Sequence, residues 1–159
     1  MEKSQYIPIM IQSLKKKNQI LDVIIGLNQQ QRDELEDPGL DPDDFDLTVE
    51  KKAKQIEELE ALDVGFQELF ERVREELTGN REAYCEEIAQ MQELIRSLTE
   101  KSADIQTQEQ RNKELMTRKF AAVRKQVKEV RKSQKIVNQY YKNMMKTAYI
   151  EPQFTDKKK

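Results

Sequence analysis

The amino-acid sequence predicts an all-α fold: an antiparallel helical bundle or coiled coil with three long helices, the third of which extends beyond the other two. Charged residues make up 36% of the 159 residues, and only four glycines and four prolines are present. Apolar residues recur at alternating steps of three and four along most of the chain. Few turn-forming residues together with heptad spacing are typical of long helices that pack along one face.

The longest helical pattern extends from Arg81 to Met145 without a glycine or a proline. Its apolar face follows the heptad spacing from Tyr84 to Met116, moves by one added step of four to Phe120, and continues to Met144. An added step of four locally unwinds a supercoil without ending the helix. The pattern therefore predicts one continuous helix, roughly 100 Å long at about 1.5 Å per residue.

Two shorter helical patterns precede it, from about Tyr6 to Glu36 and from about Thr48 to Leu77. Residues 37–47, between them, combine prolines and a glycine with acidic residues, which is typical of an exposed loop. Asp46 or Thr48 is expected to cap the second helix. A calcium site of the EF-hand type is not predicted, because the loop lacks a glycine at the required sixth position.

The lengths of the three patterns divide the chain into three predicted parts. Residues 1–110 are expected to form a three-helix antiparallel bundle, because the short turn at residues 78–80 makes the second and third helices neighbours. The second helix can cover only about 30 residues of the third. Residues 111–146 are expected to continue the third helix as a basic amphipathic segment that binds a partner, and residues 147–159 to form a mobile tail.

Near residue 110 the apolar face of the third pattern becomes polar. The polar residues on this face are Ser102, Glu109 and Asn112. Polar residues at core positions lower stability and set helix register. They indicate either a hinge at which the third helix bends or a solvated region where the bundle simply ends.

The charges are distributed unevenly along the chain. The formal net charge is −2, but residues 1–110 carry −13 and residues 111–159 carry +11. Such a separation indicates that the two parts face differently charged surroundings, or each other.

The residue types exclude most catalytic chemistry. The chain contains no histidine, the commonest general base, and no glycine-rich phosphate loop or set of residues with metal-ligand spacing. Its single cysteine, Cys85, is expected to be a small apolar residue beside the helix face. We therefore expect a protein that is not an enzyme, without catalytic, cofactor-binding or metal-binding residues. The lack of a signal peptide and of a membrane-spanning apolar run predicts a cytoplasmic location.

The candidate binding surface is the apolar face of residues 111–146, which the first two helices are too short to cover. Its residues have the spacing of a helix that packs against another helix or into a groove. The predicted partner-binding residues are Val123, Val127, Val130, Val137, Tyr140, Tyr141 and Met144. The flanking basic residues, which favour an acidic partner, are Arg124, Lys128, Arg131, Lys132 and Lys135.

Three stretches carry a resemblance to a known family: Ile56–Leu59 leading to Leu62–Phe66, then Gln108–Lys113, and finally Asn138–Met144. On these residues the chain resembles the FlgN family of flagellar export chaperones. The resemblance implies a cytoplasmic chaperone that binds the C-terminal helical region of hook–filament junction proteins. It would keep them unpolymerised and deliver them to the export apparatus, with the C-terminal amphipathic helix, here Val123 to Met144, binding the substrate.

Two other functions fit the same residues. A structural or adaptor coiled-coil protein would self-associate through its C-terminal helix and bury the same valines. A nucleic-acid binder would use the basic residues of that helix to contact phosphates, although no recognised nucleic-acid-binding module surrounds them. The oligomeric state and the identity of the cargo are left open, and membrane insertion is not expected.

Overall fold

The computed structural model describes residues 5–121, 135–137, 139 and 140. Residues 5–121 form α1 (Tyr6–Glu36), α2 (Pro42–Asp63), α3 (Phe66–Leu77), a 3₁₀ helix (Arg81–Tyr84) and α4 (Cys85–Lys119). Residues 135–137, 139 and 140 are also helical. The described residues contain no strand, and the predicted all-α helical bundle is confirmed.

The helices α1 and α4 run parallel and pack along their lengths. Near the middle of α1, Asp22 forms an ion pair of 2.9 Å with Lys101. Further along, the backbone carbonyl of Asn28 accepts a hydrogen bond of 2.9 Å from the Asn112 side chain. The contact partners therefore advance in the same direction on both helices.

The α2–α3 pair runs antiparallel to α1. Thr48, in the first half of α2, donates a hydrogen bond of 2.9 Å to the Glu34 carboxylate near the end of α1. Asp63, at the end of α2, forms an ion pair of 2.6 Å with Lys17, which lies in the first half of α1. The bundle therefore has an up–down–up order, as the short turn at residues 78–80 predicts.

The second helix begins earlier than expected. It starts at Pro42, with Asp41 as its N-cap residue accepting a hydrogen bond of 3.0 Å from the backbone N–H of Asp43. Proline suits this position because the first turn of a helix leaves its N–H groups unpaired. The predicted caps, Asp46 and Thr48, lie inside the helix, and the acidic loop shrinks to residues 37–41.

The second helical pattern is interrupted at Val64 and Gly65. Gly65 has a φ of +77°, a left-handed conformation that ends α2 and precedes α3. Glycine adopts this conformation without the steric cost that a Cβ atom adds. The single helix expected from Thr48 to Leu77 is therefore two helices joined at a bend.

The prediction of one uninterrupted helix from Arg81 to Met145 is wrong. Arg81–Tyr84 form a 3₁₀ helix, and α4 extends only from Cys85 to Lys119. Residues 122–134 lie outside the described residues.

Contacts with the α1–α2 loop and with the first turn of α2 explain where α4 ends. Its C-cap residue, Phe120, is buried and packs on Phe45 with ring centroids 5.5 Å apart. The neighbouring Lys119 ammonium donates a hydrogen bond to the backbone carbonyl of Asp37. This packing extends the core beyond residue 110, because α2 already begins at Pro42. The cluster at this end contains Leu35, Phe45, Met116 and Phe120.

The polar residues of the α4 face lie in the core. Ser102, Glu109 and Asn112 are each no more than 3% exposed. The expectation that the bundle ends there in a solvated region is therefore wrong.

Lys52 of α2 completes this buried polar layer. Its ammonium donates hydrogen bonds to Glu109 (2.7 Å), Gln31 (2.9 Å) and Asn28 (3.1 Å), which come from α4 and α1. Burial lowers the pKa of Lys52, and the Glu109 carboxylate opposes that shift. The layer links three helices through one cation, a pairing that fixes their relative register.

Candidate functional site

The described residues 135–137, 139 and 140, called residues 135–140 below, lie against the bundle instead of extending away from it. Val137 is 3% exposed and Tyr140 is 6% exposed. Both belong to a core cluster with residues from α1, α2 and α4: Ile20, Leu21, Ile24, Ile56, Leu59 and Ile105. The expectation that Val137 and Tyr140 form an uncovered surface is therefore wrong.

The physical reason is that α4 ends at Lys119. Once the helix ends, the later chain can pack on the bundle. Val137 and Tyr140 are three residues apart, so they lie on one face of a helix and reach the same apolar cluster. Val137 and Tyr140 belong to the face that the periodicity predicted to be apolar, but the periodicity could not predict that they pack within the same chain.

Of the other predicted site residues, the structure describes only the flanking basic residue Lys135. Lys135 is exposed. The remaining predicted residues lie outside the described residues: Val123, Val127, Val130, Tyr141 and Met144, with the basic residues Arg124, Lys128, Arg131 and Lys132.

Asp63 anchors the C-terminal residues to the end of α2. Its carboxylate accepts a hydrogen bond of 2.9 Å from the Tyr140 hydroxyl and forms the 2.6 Å ion pair with Lys17. Lys17 is only 5% exposed, and its ammonium lies 3.7 Å from the centroid of the Phe66 ring. A cation over an aromatic face is stabilised by the ring quadrupole. Asp63 thus connects α1, the α2–α3 bend and the C-terminal residues.

The spacing of apolar residues does not reveal the role of this region. Asp63 falls on the apolar face of the second pattern. A carboxylate on such a face is expected to pair with another polar or charged side chain. Gly65 follows two residues later and marks the bend. These two signals together could have located the site, but nothing in the spacing identifies Lys17 and Tyr140 as the partners.

A groove lies between the α2–α3 bend and residues 135–140. Its volume is about 680 Å³. The wall from α2, α3 and their bend contains Glu60, Asp63, Val64, Phe66 and Gln67. The opposite wall contains Lys135, Ile136, Gln139 and Tyr140.

The groove combines apolar surface with separated charges. Val64 is 83% exposed and Ile136 is 58% exposed, so apolar side chains on both walls face solvent. Glu60 and Lys135 form no ion pair within the described part of the chain. The arrangement is suited to binding an apolar group between charged neighbours.

No group of three or more cysteine, aspartate or glutamate side chains in the described residues is placed to hold a metal ion. Cys85 is exposed and has a free thiol. None of the helices in the described ranges has the length and apolar character required to cross a membrane.

The fold defines a helical-bundle protein with a groove between the α2–α3 bend and residues 135–140. The chain matches the family model described as FlgN protein over residues 1–147, and it belongs to that family. FlgN proteins are chaperones of flagellum assembly and export, a class without enzymatic activity. No curated protein and no solved structure matches the chain.

Proposed function

We propose that this protein is a cytoplasmic export chaperone that binds the C-terminal helical segment of hook–filament junction proteins. Binding keeps these proteins unpolymerised until they are delivered to the export apparatus. The observation that carries the proposal is the family match, which spans residues 1–147 and so includes the C-terminal amphipathic stretch.

The packing of residues 135–140 supports a helix-binding role for this part of the chain. Val137 and Tyr140 pack as one helix face on three helices of the bundle. The docked residues leave an open groove beside them, in which a second helix can find both apolar and charged contacts. The rest of the proposed surface comprises Val123, Val127, Val130, Tyr141 and Met144.

The proposed mechanism requires reversible binding. Terminal segments that fold only when they pack on a partner lose conformational entropy on binding, which lowers their affinity for a given contact area. A chaperone that covers such a segment blocks premature assembly and still releases its cargo. No catalytic step is needed, and the protein acts through contact alone.

The proposal is tested by titrating the full-length protein with a synthetic peptide that has the sequence of such a C-terminal segment from the same organism. We expect saturable one-to-one binding in calorimetry and a gain of helical signal in circular dichroism. Light scattering should show that the junction protein stays monomeric in the presence of the chaperone. A chain that forms a tight dimer and does not bind the peptide would contradict the proposal in favour of a self-associating coiled-coil protein.

A further inference from the structure

We infer that the groove between the α2–α3 bend and residues 135–140 is the site that holds an amphipathic helix of the cargo, with its apolar side chains inserted between Val64 and Ile136. This inference rests on the proposed function and adds the location and the chemistry of the contact. The site is composite, since one wall belongs to the bundle and the other to the C-terminal residues.

The exposed apolar side chains are the first argument. Val64 and Ile136 lie far apart in sequence, yet they line the same groove with large exposed fractions of 83% and 58%. Large apolar side chains that share a concave surface are characteristic of interaction sites, whereas single exposed ones are common on any protein. Ile9, Val23 and Leu47 are exposed too, but they do not line the groove.

The shape of the groove is the second argument. Its volume of about 680 Å³ falls within the range of roughly 300–1,000 Å³ that is typical of concave binding sites. Phe66 and Tyr140, which line it, are themselves held by the bundle with 7% and 6% exposure. The groove therefore has a preformed apolar lining suited to the anchor side chains of a helix.

The charges identify the kind of helix that fits. Glu60 on α2 and Lys135 on the opposite wall are exposed and form no ion pair within the described residues. Asp63, by contrast, already pairs with Lys17 and Tyr140. An occupant with a basic group toward α2 and an acidic group toward Lys135 complements both walls. A nucleic acid does not, because its phosphates would meet Glu60 and its polar backbone would meet Val64 and Ile136.

The test compares affinities of full-length variants for the same synthetic cargo peptide. Val64→Asn and Ile136→Gln remove apolar contact from the two walls, and each is expected to weaken binding by about tenfold. Leu47→Asn and Val23→Gln are matched controls at exposed apolar residues outside the groove, 50% and 46% exposed. They are expected to bind like the wild type, and circular dichroism verifies that all four variants fold.

A second pair of variants tests the charge complementarity. Glu60→Lys reverses the charge on the groove wall and is expected to weaken peptide binding, with the largest effect at low salt. Glu58→Lys makes the same change at an exposed residue of α2 that does not line the groove. Equal affinities for these two variants would overturn the proposed orientation of the charges and with it the inference.

The outcomes separate this inference from the proposed function. If the wild type binds the peptide and the Val64 and Ile136 variants bind equally well, the groove is not the cargo site, while the chaperone function stands. If the wild type does not bind, the proposed function itself fails. A concentration-dependent dimer that Val64→Asn abolishes would assign the groove to a second copy. This result would overturn the inference.

Discussion

At the scale of single residues, Lys52 is the buried cation that joins the polar groups of the core. It is 2% exposed, and its ammonium is surrounded by oxygen atoms of Glu109, Gln31 and Asn28. An ion pair at such a depth has a large desolvation cost, and its net contribution to stability is small compared with the cost of breaking it. The pair contributes to the specificity of helix register, because one cation satisfies acceptors from two other helices.

Two variants test whether Lys52 and Glu109 form a buried pair. Lys52→Met removes the cation that pairs with the buried Glu109 carboxylate and is expected to lower the free energy of unfolding by about 3–5 kcal/mol. The double variant Lys52→Met/Glu109→Leu removes both charges and is expected to recover most of that loss. Urea denaturation followed by circular dichroism measures both. A single variant as stable as the wild type would show that the two groups do not form a buried pair in solution.

Asp63 is the corresponding residue in the groove. Its carboxylate joins Lys17 on α1 to Tyr140 near the C-terminus. Asp63 falls on the apolar face of the second helical pattern, where its role is explained by these two partners. An acid on such a face can be recognised from sequence, but its partners cannot, since they are 46 residues before it and 77 residues after it.

At the scale of elements, local signals predicted the helices well and their ends less well. The first pattern, Tyr6 to Glu36, coincides with α1, since apolar spacing and an early proline are properties of the segment itself. The end of α4 at Lys119 depends instead on tertiary contacts, namely Phe120 with Phe45 and Lys119 with Asp37. Such contacts leave no trace in the local spacing, so the pattern predicted a helix that was too long.

A matched pair of glycine variants tests the backbone conformation at the bend between α2 and α3. Gly65 has a φ of +77°, so Gly65→Ala places a Cβ in a left-handed conformation and is expected to destabilise the protein by about 1–2 kcal/mol. Gly26 lies inside α1 with no atom within 4 Å of a Cβ built there. Gly26→Ala is expected to stabilise the protein by about 0.5–1 kcal/mol.

Thermal unfolding measures both variants under the same conditions. Opposite shifts in midpoint are the expected result, because one substitution opposes the backbone conformation and the other favours the helix. Equal shifts would contradict the left-handed conformation of Gly65, which lies in the chain between the groove residues Val64 and Phe66.

At the scale of the whole molecule, the separation of charge along the chain has a structural counterpart. The part of the chain that is rich in acidic residues forms the bundle, and described residues from the basic part, Lys135 to Tyr140, lie against it. The sequence left open whether the two parts face different surroundings or each other, and the packing of Val137 and Tyr140 favours the second alternative. The composite groove exists because these residues are docked.

The central claim is that residues 135–140 dock on the bundle in the free protein, and a distance measurement tests it most directly. Gln67 and Gln139 line opposite walls of the groove and are both exposed. Spin labels at Gln67→Cys and Gln139→Cys, in a Cys85→Ser background that removes the exposed native thiol, report their separation in solution. We predict one short, narrow distance distribution, which Val137→Asp lengthens and broadens. A long distance in the chain that retains Val137, unchanged by Val137→Asp, would contradict the account.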